Sequence, residues 1–187
     1  EPGLARVLDA AGTAMYDDPA AGARLAQTVH DAAAAHGLAN AVASSTYLLA
    51  QAAVHGGELH DALRLLDEAE RGFAAVGERA RALRTNLGRT HVLNELGRHE
   101  EALAASRAIL DAAGSGDAAL VEDSLAAAAE QNSGLCLELM GRFEDALAAY
   151  SRAEARYGRT GSDRATAEVA FDRALVLLTL GRHGDAL

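Results

Sequence analysis

The chain has 187 residues, of which 50% are hydrophobic and only 4% aromatic, and it carries 27 acidic residues against 17 basic ones. The net charge of −10 argues against a nucleic-acid-binding protein, because such proteins need a concentrated basic surface. One cysteine, Cys136, excludes an internal disulfide and favours a reducing compartment. No apolar run reaches the roughly 18 residues of a membrane span, so we expect a cytoplasmic protein.

The residue pattern predicts an all-α fold. Alanine, which favours helices, is abundant, whereas the residues that favour strands are scarce. The predicted helices, taken in order, cover residues 3–16, 19–36, 38–55, 58–76, 78–96, 98–113, 117–140, 142–157 and 162–180, and a tenth begins near residue 182. Gly37, Gly77 and Gly158 are predicted to end helices, while Asp117 and Ser162 are candidate N-caps.

A helix-turn-helix pattern recurs along the sequence. Its clearest copy is LCLELMGRFEDALAAYSRAEARYG at residues 135–158, where a glycine ends one apolar run and two acids begin the next helix. The turn glycines recur with separations of 40, 44 and 40 residues, at Gly57, Gly97, Gly141 and Gly181. Five residues after each glycine stands an alanine, at Ala62, Ala102, Ala146 and Ala186.

The clearest copy resembles the tetratricopeptide repeat (TPR) family. Gly134 stands at the family's small residue of the first helix, Phe143 at the aromatic after the turn, and Ala146 with Tyr150 at the A-x3-aromatic step. The period exceeds the family's roughly 34 residues, as in its longer signalling subfamilies, and the early Trp and late Pro are absent. The resemblance implies a right-handed superhelical solenoid of antiparallel helix pairs, with about 4.5 repeats, in a single domain over residues 1–187.

Two patterns resemble catalytic or metal-binding sequences. HEEAL at residues 99–103 begins like the zinc-protease motif H-E-x-x-H, but Leu103 replaces the second histidine, so this helix cannot hold zinc. Cys136 has no fixed histidine beside it in the sequence and is expected to be a small buried residue. We therefore predict no metal site, no cofactor and no enzymatic activity.

In the TPR family the first helix of each pair lines a concave groove, and the resemblance places a set of side chains there. Counting back from the turn glycines selects Tyr47, Gln51, His55, Arg84, His91, Asn94, Glu95, Gln131, Glu138, Glu168 and Phe171, with Asn132 and Asp172 at the edges. Amides can bond a peptide backbone and aromatic residues can anchor it. For any single residue, a solvated helix face without a binding role is the simpler interpretation. The lysine and asparagine clamp of some family members is absent, which disfavours binding of chaperone tails.

The resemblance leaves two functions open. One is a non-catalytic protein-interaction scaffold that binds a peptide or a neighbouring domain in its groove. The alternative is a sensor or regulatory arm of a larger protein, since similar repeats occur with caspase-like CHAT proteases and nucleotide-switch transcription regulators of high-GC bacteria. The catalytic part would then lie outside these residues. The acids Glu138 and Glu168 favour a protein or peptide partner with basic residues, and neither nucleic acid nor membrane is expected.

Two further expectations concern exposure. The sequence ends within the tenth predicted helix, which suggests a piece of a longer protein. The apolar residues Val176, Leu177 and Leu180 would then be open, and such a patch favours self-association. In the clearest copy, Ala146 is expected at a buried helix crossing and Ala149 on a more exposed side.

Overall fold

The computed structural model describes residues 2–115 and 121–182, and its elements in these ranges are all α-helices, which confirms the predicted all-α class. In chain order they are α1 Pro2–Asp17, α2 Pro19–Ala35, α3 Ala39–His55, α4 Leu59–Ala75, α5 Arg79–Glu95, α6 His99–Gly114, α7 Asp123–Leu139, α8 Phe143–Thr160 and α9 Asp163–Thr179. None of the helices in the described ranges is long and apolar enough to cross a membrane.

Glycine turns join most neighbouring helices. Within the described ranges, the glycines with left-handed φ angles lie 20 residues apart at 37, 57, 77 and 97, and again at 141, 161 and 181. The residue after each glycine donates its N–H to the carbonyl five residues earlier, as Glu58 does to Ala53 at 2.8 Å, which is the Schellman arrangement. The repeated segment is therefore one helix with its turn, and two such segments span the predicted 40-residue period.

Two helix boundaries differ from the predictions by three or more residues. α7 begins at Asp123, six residues later than predicted. α8 continues through Gly158 to Thr160, because Gly158 has ordinary helical geometry and the left-handed glycine that ends α8 is Gly161.

The predicted N-caps have separate outcomes. Ser162 stands at the N-cap position of α9, but its side chain makes no capping hydrogen bond. Its backbone carbonyl instead accepts the N–H of Thr166 at 2.9 Å, which begins the helix. Asp117, Ala186 and the tenth predicted helix beyond residue 182 lie outside the described residues.

The chain divides into two compact units, residues 1–92 (unit 1) and 93–187 (unit 2). The single domain expected over the whole chain stays a prediction. In unit 1, α1 to α4 pack in sequence and α1 also contacts α3. The core around Phe73 includes Ala43, Ala69 and Ala82, with Tyr47 packed against it. Phe73 thus lies where α3, α4 and α5 meet.

An arginine-glutamate pair recurs at one repeat position in both units. Arg89 of α5 lies 2.6 Å from Glu70 of α4, and Arg173 of α9 lies 3.2 Å from Glu154 of α8. Each arginine precedes its turn glycine by eight residues, and each glutamate precedes its own by seven. Each ion pair therefore connects a helix to the one before it, α5 to α4 and α9 to α8, at the same repeat position.

In unit 2, α6 to α9 pack in sequence, and Ala102 and Ala146 are fully buried, as Ala62 is in unit 1. Ala149 is also fully buried, so the expectation that it is more exposed is wrong. The reason is that α8 packs against both α7 and α9, so its buried face is wide. Tyr150 lies on this face, against Gly134.

The prediction that Val176, Leu177 and Leu180 form an open face of α9 is also wrong. Val176 and Leu177 are only 0% and 3% exposed, and Leu180 is half-buried. They lie on the side of α9 that faces the rest of unit 2, because α9 packs against α8. The exposed apolar residues of α9 are others: Phe171, Leu175 and Leu178.

Candidate functional site

All predicted groove residues lie on the odd-numbered helices. Unit 1 holds Tyr47, Gln51 and His55 on α3, with Arg84 and His91 on α5. Unit 2 holds Asn94 and Glu95 at the end of α5, Gln131 and Glu138 on α7, and Glu168 and Phe171 on α9. The structure therefore gives two sets of candidate residues, each with its own surroundings.

In unit 1, one face of α3 carries a continuous polar stripe. Its members, here called the α3 stripe, are Asn40, Ser44, Tyr47, Gln51 and His55. Successive members are four, three, four and four residues apart, which places them all on one side of the helix. The predicted groove included the last three of these residues and not Asn40 or Ser44. The same helical spacing, continued toward the start of α3, would have identified both.

The α3 stripe lines an open cavity of about 1190 Å³. α1 contributes an apolar part of the lining with Leu4, Leu8 and Tyr16, and Arg81 contributes from the start of α5. Pockets for small molecules measure roughly 300–1,000 Å³. An open cavity above that range, with polar groups on one helix and apolar groups on another, suits several residues of an extended chain.

Tyr47 is half-buried and lines the cavity. Burial raises the pKa of Tyr47, an effect that the nearby charges of Arg84 and Arg81 partly oppose. Because the phenol stays protonated at neutral pH, it can donate a hydrogen bond to a ligand.

His55 is fixed in one tautomer while its ring is neutral. Its Nδ1 lies 2.8 Å from the backbone carbonyl of Gln51, and a carbonyl can only accept, so Nδ1 donates. The Nε2 atom is then the acceptor of the neutral ring. His55 is exposed, so the cavity margin offers an acceptor here as well as donors.

Arg81 joins α5 to α3. Its Nη1 donates to Asn40 Oδ1 at 3.0 Å, and its Nη2 donates to Ser44 Oγ at 2.9 Å. The guanidinium carbon lies 4.2 Å from the centre of the Phe73 ring. The predicted groove included Arg84, one helical turn away, and not Arg81. The two hydrogen bonds join residues about 40 positions apart, so only the folded chain reveals them.

In unit 2, two of the predicted amide side chains, Asn94 and Gln131, form hydrogen bonds with neighbouring side chains. Asn94 Nδ2 lies 3.3 Å from Cys136 Sγ, and Asn94 Oδ1 lies 3.2 Å from His99 Nδ1. Gln131 Nε2 donates to Asp172 Oδ2 at 3.0 Å. Both amides thus connect parts of unit 2, whereas Gln51 lines the cavity of unit 1.

The possible catalytic residue Cys136 is fully buried. Burial raises the pKa of the Cys136 thiol, and the hydrogen bond with Asn94 opposes this only in part. The thiol is therefore protonated at neutral pH, which does not suit a nucleophile. Within residues 2–115 and 121–182, no group of three or more His, Cys, Asp or Glu side chains could hold a metal ion.

Carboxylates make the candidate residues of unit 2 acidic. Glu138 Oε2 accepts the Tyr150 hydroxyl at 2.9 Å, and Asp172 accepts from the Gln131 amide. Burial and the neighbouring Glu138 carboxylate raise the pKa of Tyr150, so this donor stays neutral. Glu168 pairs with Arg164 of its own helix.

Unit 2 also exposes apolar side chains on α7 and α9, of which the predicted groove contained only Phe171. Leu135 and Leu139 of α7 and Phe171, Leu175 and Leu178 of α9 are between 40% and 63% exposed. Leu135 and Leu175 precede their turn glycines by six residues, the same position as Gln51 in the α3 stripe. Counting back six residues from each turn glycine, as for Gln51, would have found both leucines.

Comparison with known proteins gives matches in structure alone, since neither protein-family models nor curated proteins match the sequence. RapI in its apo form has a TM-score of 0.77 at 12% identity, over 96% of this chain and 49% of that one. A Rap protein complexed with Competence and Sporulation Factor has a TM-score of 0.65 at 18% identity, over 79% and 40%.

A putative kinesin light chain with nearly identical TPR-like repeats, from Podosopora anserina, has a TM-score of 0.75 at 14% identity, over 98% of this chain and 89% of that one. The chain spans half or less of the length of the two Rap structures. Together with the repeated helix and glycine turn, these matches show that the chain has a TPR-like helical-repeat fold.

Proposed function

We propose that this chain is a non-catalytic protein-interaction scaffold that binds an extended peptide, or a segment of a neighbouring domain, along the α3 stripe. The observation that carries the proposal is the open cavity of about 1190 Å³ beside that stripe. A peptide backbone presents both N–H and C=O groups, and the stripe offers donors and acceptors at helical spacing. The apolar lining from α1 suits the side chains of such a segment.

The similar structures support this proposal at the level of the fold. One of them is a Rap protein in complex with Competence and Sporulation Factor. A protein that contains this fold over part of its length is thus seen with a bound partner. At 18% identity the likeness carries no residue of the site across, so the binding positions proposed here rest on the cavity itself.

We expect the double variant Gln51→Ala, His55→Ala to bind peptide at least about tenfold more weakly than the original chain. The original chain is first used to select binders from a random peptide library, and the affinity of a selected peptide is then measured by fluorescence anisotropy. Both substitutions lie on the cavity margin and outside the core, so the helical signal should be unchanged.

The matched control is Arg64→Ala, Glu68→Ala on α4. These side chains form an exposed ion pair with a 3.2 Å separation, and neither lines the cavity. Removing both leaves the net charge unchanged, and peptide affinity should stay within about twofold. Equal losses in the two double variants would show that the peptide binds elsewhere.

We further propose that the partner carries basic residues, which the acids of unit 2 attract. Glu95→Arg with Glu168→Arg should slow the association of a lysine-containing selected peptide by about fivefold or more at low salt. The effect should shrink as salt rises, because exposed charges are screened over about 10 Å at 0.1 M. Stopped-flow association rates measure both effects.

The control for charge alone is Glu100→Arg with Asp111→Arg. Both acids are exposed on α6, and reversing them changes the net charge by the same amount. If these two reversals slow association as much as Glu95→Arg with Glu168→Arg does, the attraction comes from the net charge of the chain and not from the acids proposed here.

Two other proposals remain beside the scaffold. As a regulatory arm, the chain would adjoin a CHAT protease domain or a nucleotide-switch regulator, and the coding sequence beyond residue 187 tests this directly. A His/Cys pair, a P-loop or a helix-turn-helix there would support it. Self-association would use the exposed apolar side chains of α9, Phe171, Leu175 and Leu178, rather than the buried Val176 and Leu177. A strictly monomeric sedimentation profile at high concentration would exclude it.

A further inference from the structure

The Arg81 guanidinium is already held in place on the cavity wall. Hydrogen bonds to Asn40 and Ser44 fix its two terminal nitrogens, and the Phe73 ring supports its face. A side chain ordered before binding loses little conformational entropy when a ligand arrives. Arg81 is therefore preorganised for recognition in a way that a mobile surface arginine is not.

These contacts leave the charge of Arg81 uncompensated. Asn40, Ser44 and Phe73 are neutral, and among the described residues Arg81 forms no ion pair, whereas Arg89 on the same helix pairs with two acids. A guanidinium has five N–H donors, and the two hydrogen bonds use two of them. Arg81 thus presents a positive charge and spare donors at a half-buried position.

Arg81 is also poorly explained by helix stability. The first turns of α4 and of α6 to α9 contain Asp or Glu, which the helix dipole favours, whereas those of α1 to α3 contain no acid. The first turn of α5 contains no acid and carries Arg79 and Arg81, although Glu78 precedes it. A basic residue in the first turn of a helix opposes the helix dipole, and such a residue beside a cavity is expected where it has another role.

We infer that Arg81 forms a carboxylate subsite of this cavity and takes an Asp or Glu side chain of the bound segment. The inference rests on the proposed function, since it names one residue of the peptide that the α3 stripe would hold. A planar guanidinium matches a carboxylate through paired hydrogen bonds, which gives geometric selectivity as well as attraction. The protonated Tyr47 phenol on the α3 stripe supplies a further donor to the cavity.

Asp9 sets the position of this subsite within the cavity. It is the one carboxylate among the described cavity-lining residues, and it lies on α1, whereas Arg81 lies on α5. A carboxylate of the ligand should avoid the side of Asp9 and approach Arg81. The acidic residue should therefore occupy one fixed position in every peptide that binds here.

Selection from a random peptide library tests this, with the full chain and its Arg81→Met variant as separate targets. The displayed peptides are fused at their C-terminus and so lack a free terminal carboxylate. We expect Asp or Glu enriched at one position with the original chain and no such enrichment with Arg81→Met. In a selected peptide, Glu→Gln should weaken binding about tenfold to the original chain and less than about twofold to Arg81→Met.

Asn40→Ala separates the charge of Arg81 from its role in joining α3 to α5. This variant removes one of the two hydrogen bonds that hold Arg81 and keeps the guanidinium. The Glu→Gln change should still weaken binding to Asn40→Ala severalfold, while thermal unfolding reports any loosening of the helices. A loss of the Glu preference in Asn40→Ala equal to that in Arg81→Met would overturn the inference.

The remaining outcomes are distinct. Selected peptides without an acid preference overturn the subsite and leave the proposed function standing. Binding that is lost when a synthetic peptide is amidated at its C-terminus, and is indifferent to Glu→Gln, assigns Arg81 to a terminal carboxylate and overturns the side-chain assignment. A library that yields no binder at all overturns the proposed function and the subsite together.

Discussion

Gly134→Ala should lower the free energy of unfolding by about 1–3 kcal/mol, although alanine stabilises most helices relative to glycine. A Cβ atom at this position of α7 would lie 2.6 Å from Tyr150 Cε1. The Tyr150 ring is 1% exposed, so it has no free space into which it can move. Urea denaturation followed by circular dichroism measures the change.

Gly158→Ala is the matched control. The same substitution within α8 of the same unit meets no heavy atom within 4 Å. It should raise the free energy of unfolding by about 0.5–1 kcal/mol, since only the helix preference changes. If both variants are stabilised alike, α7 and α8 do not pack in the way described.

Phe73→Ala should have the largest effect of any single change in unit 1, about 3–5 kcal/mol lost from the free energy of unfolding. Phe73 is 2% exposed and packs with Ala43, Ala69 and Ala82, whose small side chains cannot fill the space left behind. The Arg81 guanidinium would lose its support in the same variant. Thermal and chemical denaturation both measure the loss.

Phe73→Leu separates packing from the aromatic contact. It keeps most of the buried volume and should cost less than about 1.5 kcal/mol, while it removes the ring beneath Arg81. A stability of Phe73→Ala within about 1 kcal/mol of the original chain would contradict the core of unit 1.

Local sequence signals predicted most of the fold. Gly57, Gly97, Gly141 and Gly181 were predicted from their spacing, and all four have left-handed φ angles of 70° to 74°. Such a conformation is strained for other residues, so the requirement shows directly in the sequence. Gly158 was misread because a glycine can also continue a helix, and only the backbone distinguishes the two cases.

The exposure of individual residues and the hydrogen bonds between distant residues could not be predicted from the sequence. Ala149 and Val176 were taken as exposed, yet both are fully buried, because burial depends on how many neighbouring helices pack against one helix. The hydrogen bond between Arg81 and Asn40 joins residues 41 positions apart, which no local pattern in the sequence indicates. A polar site built from two helices becomes visible only when their packing is known.

The location of a bound peptide on this chain tests the central claim most directly. A selected peptide is synthesised with a photoreactive group, cross-linked to the full chain, and the attached residues are identified by mass spectrometry. The scaffold account predicts attachment within residues 40–55 of α3 and to the cavity-lining residues of α1. Attachment confined to exposed residues of α2 and α4, which do not belong to the odd-numbered helices, would contradict it.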